Sequence, residues 1–133
     1  MSKKIKFNNN APIYIQISNY FLAKVFVGEL KPDDKIPSRR ELGAELGVNL
    51  NTVQKSYVYM EDIGLIKTEK NRQSTITDDL VKIQSLKNDF LKEPLYEFIK
   101  IMKSINISKE KVIELIEESY DKVFEEEEEN DKS

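Results

Sequence analysis

A mainly α fold with one small β-hairpin is what this sequence of 133 residues predicts, and three observations predict it. Apolar residues recur at helical spacing in several stretches, as at Val53, Tyr57 and Met60. Capping residues and a glycine, Ser38, Gly47 and Asn49, punctuate the chain between two of those stretches. Two short β-prone runs, Leu65-Ile66-Lys67-Thr68 and Ser74-Thr75-Ile76-Thr77, then flank the polar stretch Glu69-Lys70-Asn71-Arg72-Gln73. Residues 11–77 therefore have the layout of a winged helix-turn-helix, and a two-helix C-terminal segment follows.

Residues 1–10, with three lysines and three asparagines, are expected to form a flexible arm. The first helix runs from Pro12 to about Gly28. Its Ile17, Phe21 and Val25 face the helix-turn-helix, while Ile15, Leu22 and Phe26 make a second stripe that faces elsewhere and suits a shared interface.

The next helix begins where Ser38, after Pro37, can cap free amides, and Leu42 and Leu46 give it an apolar edge. Gly47 ends it, because glycine takes a left-handed conformation without a Cβ clash, and Val48 is free to pack inward. Asn49 caps the second helix of the pair. Val53, Tyr57, Met60 and Gly64 line its inner face. Asn51, Thr52, Gln54 and Lys55 project near its start, where free amides and the helix dipole favour phosphate.

Those residue types match the chemistry of a DNA groove. Arginine forks onto guanine or phosphate, which marks Arg40 and, beside it, Arg39. Asn51 and Gln54 can pair with adenine, and Thr52 and Lys55 can hold phosphates. Leu50 could touch a thymine methyl or pack, and packing is the expectation. Lys70 and Arg72 at the hairpin tip suit a backbone or minor-groove contact.

Beyond the hairpin, Leu80, Ile83, Leu86 and Phe90 make one apolar edge and Leu91, Leu95, Phe98 and Met102 another, with Pro94 expected to kink or restart the helix. Ser108 caps a last helix whose Val112, Ile113, Leu115, Ile116, Tyr120, Val123 and Phe124 form a wide apolar face. So wide a face needs neighbours. Residues 78–124 are read as a homodimerisation segment, with Leu91, Leu95, Phe98, Met102, Val112, Ile116 and Val123 at the interface. Residues 125–133 form an acidic tail, a solvated and self-repelling helix end.

The segment from Ala11 to Thr77 resembles the winged helix of the GntR family of bacterial transcription regulators. Pro12-Ile13-Tyr14-Ile15-Gln16-Ile17, the connection from Gly28 to Ser38, Arg40-Glu41-Leu42, Gly47-Val48-Asn49, Asn51-Thr52-Val53 and Gly64-Leu65-Ile66 carry the likeness. The resemblance implies that Arg40, Asn49, Asn51, Thr52 and Lys55 contact DNA, with Ser38 supporting the helix start. Asn71-Arg72-Gln73 departs from the Gly-x-Gly turn usual in such wings, and position 50 often holds proline or arginine in relatives. The short chain with two C-terminal helices resembles the YtrA subfamily, which implies a dimeric regulator, often of a transporter operon.

Charge follows the same division. Residues 1–77 carry 12 Lys and Arg against 8 Asp and Glu, whereas residues 78–133 carry 9 against 16. The positive half is the one expected to meet DNA. With no cysteine and no histidine, thiol chemistry, disulfides, the usual zinc sites and imidazole catalysis are excluded. The four glycines are scattered, so no phosphate-cradling loop exists, and neither a cofactor nor an enzymatic activity is expected. No signal peptide or membrane span is visible, which places the protein in the cytoplasm. The expected function is a homodimeric repressor on an inverted-repeat operator in double-stranded DNA. The alternative is a protein-interaction module on the same scaffold. A small-molecule effector would be sought near Tyr14, Tyr20, Phe90 and Phe98.

Overall fold

The computed structural model describes residues 5–70 and 73–125. Five helices and a two-stranded antiparallel sheet follow in the order α1 (Ile13–Phe26), α2 (Arg39–Leu46), α3 (Leu50–Asp62), β1 (Ile66–Lys67), β2 (Thr75–Ile76), α4 (Leu80–Ser104) and α5 (Lys109–Ser119), with a 3-10 turn at Tyr120–Lys122. The chain divides into two compact units, Met1–Phe90 and Leu91–Ser133.

In the first unit α3 is the central element and packs against α1, α2 and β1. Its inner face, Val53, Ser56, Tyr57 and Met60, is buried. Ile17, Phe21, Leu22 and Val25 of α1 close over it, and Ile36, Leu65, Ile66 and Ile76 complete the core. Two residues of the second stripe on α1 are covered within this unit: Leu22 lies in the core, and Phe26 meets Phe90 of α4 edge-on with ring centroids 5.4 Å apart, while Ile15 is half-buried. The amphipathic start of α4, with Leu86 buried, supplies the cover that the sequence alone did not assign to this stripe. Ile5 and Phe7 also pack on the core, and the Gln16 amide donates to the Asn8 carbonyl at 2.9 Å, so residues 5–10 lie tethered to α1.

Each helix boundary has a local cause. Ser38 and Glu41 form a reciprocal capping box at α2, with both hydrogen bonds at 3.1 Å. Gly47 then adopts φ +65 and turns the chain, while the Val48 amide donates to the Gly43 carbonyl. Asn49 caps α3 by accepting from the Asn51 amide at 2.7 Å. The wing is shorter than its β-prone runs, pairing Ile66 with Ile76 and Lys67 with Thr75. Residues 33–36 add an outer rung to it, through a Lys35 to Thr75 bridge and the Ile36 amide donating to the Ser74 carbonyl at 3.0 Å. Asp79 starts α4 by accepting from the Lys82 amide.

Helix α4 runs unbroken through Pro94, so the restart expected there does not occur. Proline removes one backbone donor from the ladder, and the apolar periodicity on either side is continuous enough to carry the helix across that gap. Ser108 caps α5 by accepting from the Lys111 amide. No residue of α5 is buried, and the one buried residue of α4 is Leu86.

Candidate nucleic-acid interface

Two devices fix α3 to its support. The Ser18 and Ser56 hydroxyls, both fully buried, lie 2.8 Å apart between α1 and α3. Ser18 donates its own proton to the Tyr14 carbonyl, so Ser56 must donate to Ser18. At the next residue, the Tyr57 hydroxyl donates to the Pro37 carbonyl at 2.5 Å, joining α3 to the segment that leads into α2. Burial pushes the Tyr57 phenol well above its ordinary value, against the opposing pull of the Arg39 charge.

With the inner face so held, α3 presents Asn51, Gln54 and Lys55 to solvent, and Thr52 is half-buried. Asn49 is exposed, but its side-chain oxygen is committed to the cap, leaving its amide hydrogens for a partner. Ser38 is likewise committed to the capping box. Arg40 projects from the first turn of α2 into solvent, next to the helix pair. Asn51, Gln54 and Lys55 share the outer face of α3, whereas Ser38 and Arg40 line a separate groove with Gln73 and Ser74 of the wing. A shallow groove of about 410 Å³ runs along α3, lined by Tyr14, Gln54, Lys55, Val58, Tyr59 and Asp62.

Arg39 differs from its neighbour. Its guanidinium pairs with Glu61 at 3.1 Å and lies over the Tyr57 ring, 5.1 Å from the centroid. Leu50, expected to pack, is instead 47% exposed on the first turn of α3. The wing carries Lys70 exposed at its tip, and Arg72 lies outside the described residues. Lys67 is engaged at the wing's base, 3.1 Å from Asp33 and 3.6 Å from Asp78, and its bond to Asp33 raises its pKa.

The aromatic residues suggested for an effector do not form one lining. Tyr14 meets Tyr59 at 6.1 Å, Tyr20 meets Phe21 at 5.6 Å, and Phe90 meets Phe26, each edge-on to a different ring, while Phe98 belongs to the other unit. Among the described residues no cluster of acids suited to a metal occurs, and no helix is long and apolar enough to cross a membrane.

In the second unit none of the residues expected at a dimer interface is buried. Leu91 is 56% exposed, Leu95 52%, Ile116 43% and Val123 51%, and Phe98, Met102 and Val112 are half-buried.

Comparison with known proteins agrees with this geometry. The family model described as "Bacterial regulatory proteins, gntR family" matches residues 13–76, the span from the start of α1 to the end of β2. The HTH-type transcriptional regulator YhcF of Bacillus subtilis (strain 168) is 34% identical over 109 residues, covering 82% of this chain and 90% of the relative. The chain belongs to the GntR family of bacterial regulatory proteins.

A GntR regulator is a DNA-binding protein and not an enzyme, which accords with the exposed polar front of α3. The HTH-type transcriptional repressor YtrA of the same organism is 33% identical over 111 residues, covering 83% of this chain and 85% of the repressor. A GntR family transcriptional regulator from Listeria monocytogenes superposes with a TM-score of 0.79 at 34% identity, covering 84% of this chain and 98% of that one. These alignments are longer than the 13–76 match, so the likeness to YtrA-like regulators extends beyond the winged helix.

Proposed function

We propose that this GntR regulator is a homodimeric transcriptional repressor that sets two α3 helices into successive major grooves of an inverted-repeat operator. Arg40, Asn49, Asn51, Thr52, Gln54 and Lys55 form the DNA face, Ser38 holds its frame, and Lys70, with Arg72, approaches the backbone beside it. The carrying observation is the exposed polar front of α3, held from behind by buried contacts.

Dimerisation is supported by the second unit. Among the described residues α5 has no buried residue and α4 beyond Phe90 has none either, and a partner copy would give Leu91, Leu95, Phe98, Met102, Val112, Ile116 and Val123 a core. A second copy provides it symmetrically, which leaves the winged helix for DNA and, within residues 78–124, the part beyond Phe90 for assembly. Repression is supported by the whole-chain likeness to a relative named as a repressor. Covering a promoter would repress it, and a ligand that changes the angle between two winged domains would release it. The cytoplasm is where such a regulator meets its operator.

The test is fluorescence anisotropy of the full chain on the tightest duplex that it selects from a random pool, against a scrambled duplex, across a salt series. A preference of roughly a thousandfold that weakens with salt is expected. Equal, weak binding to both duplexes would refute the reading. Light scattering at micromolar protein is expected to give twice the 15.5 kDa chain mass, and a monomer would refute the dimer.

A further inference from the structure

Arg39 carries a positive charge at the edge of the DNA face, yet its surroundings differ from those of Arg40. Glu61 Oε1, in the last turn of α3, accepts from Arg39 Nη2 at 3.1 Å and from Thr68 Oγ1 at 2.9 Å. Thr68 Oγ1 also lies 2.5 Å from Ser74 Oγ. Because the single Thr68 proton goes to the carboxylate, Ser74 must donate to Thr68. Three side chains thus direct their donors toward one charge, Ser74 by way of Thr68, from the start of α2, the residue after β1 and the residue before β2. The two wing members sit opposite each other at the base of the hairpin tip. A fourth contact reinforces them: the Gln73 amide donates to the Ile36 carbonyl at 2.6 Å.

The guanidinium is held on its other side by the Tyr57 ring, and its Nε is buried without a hydrogen-bond partner. The side chains of Arg39 and Glu61 are only 32% and 35% exposed. A residue that reached for phosphate would have to leave both the ring and the carboxylate. Doing so would strand Glu61 as an unpaired charge facing the DNA, which opposes binding.

We propose that Arg39 is a positioning residue that, through Glu61, locks the wing base to α2 and α3, and that it makes no DNA contact of its own. The brace sets where the exposed tip, with Lys70, stands relative to the recognition helix. The inference rests on the DNA-binding reading above, and one arm of its test needs no DNA.

That arm is amide hydrogen exchange of the free full chain. Arg39→Ala and Glu61→Ala are each expected to lower protection at Thr75 and Ile76, and Glu61→Gln, which keeps the acceptor oxygen, to lower it less. Unchanged protection in Glu61→Ala with native circular dichroism would overturn the brace. The second arm is anisotropy on the duplex selected by the wild-type chain. Arg39→Ala, Glu61→Ala and the double variant are expected to weaken binding by the same factor, roughly tenfold, as the loss of one charge-assisted bond implies. Their salt slopes are expected to equal that of the wild type. A phosphate-binding Arg39 behaves differently: Arg39→Ala would flatten the slope by about 0.9, and Glu61→Ala, by freeing the arginine, would tighten binding. Either result overturns the proposal. A wild-type chain that selects no duplex would defeat the DNA reading alone, with hydrogen exchange still deciding the brace.

Discussion

The Tyr57 hydroxyl allows a test in which one atom is removed and two opposite effects are expected. Tyr57→Phe keeps the ring, 1% exposed and edge-on to Phe21 at 6.5 Å, and removes only the donor to the Pro37 carbonyl. Leaving that carbonyl without its partner costs about 2 kcal/mol, within the range for a stranded polar group, and lowers Tm by roughly 8 °C for a chain of this size. At alkaline pH the deficit narrows. The folded phenol has its pKa raised above its ordinary value of 10.0, chiefly by burial, so between the two values the folded state holds a proton that the unfolded state releases. Stability from this group is complete below about pH 10 and declines as pH rises, by about 1.4 kcal/mol per unit well above that point. Tyr57→Phe has no such proton. Its deficit is expected to shrink by about 1.4 kcal/mol at pH 11 relative to pH 7. Urea unfolding followed by circular dichroism at pH 7, 9, 10 and 11, at one protein concentration, measures both chains. A deficit that stays constant from pH 7 to 11 would refute the sealed, hydrogen-bonded phenol and with it the link from α3 to the α2 lead-in.

Three further outcomes follow from the helix-turn-helix. Gly47→Ala meets nothing within 4 Å of its new Cβ, so its cost is the left-handed backbone alone, about 1 kcal/mol, with Gly47→Asn costing less; urea midpoints that rank asparagine below alanine would contradict this. Ser38→Ala removes the capping oxygen and is expected to cost about 1 kcal/mol in the same assay. It should also weaken an acid-side dependence, since the Ser38 hydroxyl and, to a lesser degree, its backbone amide hold the Glu41 carboxyl below its ordinary value, and that contribution is lost as pH falls through the lowered value; the variant keeps only the amide's share. Ser18→Ala is expected to cost more than Ser56→Ala, because the first strands a buried donor while the second leaves Ser18 still donating to Tyr14; equal costs by calorimetry would reverse the assigned proton direction.

Much of the winged helix was legible because its signals are local. A serine three residues before a glutamate, a glycine after Leu46 and an asparagine before the next apolar run each state a boundary in one or two residues, and Ser38, Gly47 and Asn49 perform as their chemistry implies. The stripe Val53, Tyr57, Met60 declares its inner face by spacing alone. What escaped the sequence depends on distant partners. Arg39 and Arg40 are indistinguishable as letters, and only Glu61, 22 residues away, separates them. Leu22 and Phe26 looked unpartnered because their cover, Leu86 and Phe90, lies at the far side of the wing in sequence. Pro94 was read from its local penalty, which the periodicity of a 25-residue helix outweighs. Leu50 was judged by its hydrophobicity, although it stands 47% exposed on the first turn of α3.

The division of α3 into a buried half and an open half bears on how such regulators diversify. The residues that anchor the helix, Val53, Ser56, Tyr57 and Met60, are disjoint from those that solvent meets, Leu50, Asn51, Gln54, Lys55 and Val58. Substitutions confined to the open half touch no anchoring contact and should stay within about 0.5 kcal/mol of neutral for folding. A gene copy can therefore drift in DNA preference through foldable intermediates, one outer residue at a time, without a compensating change in the interior. Natural selection on this helix can act on recognition and on foldability as two nearly independent traits.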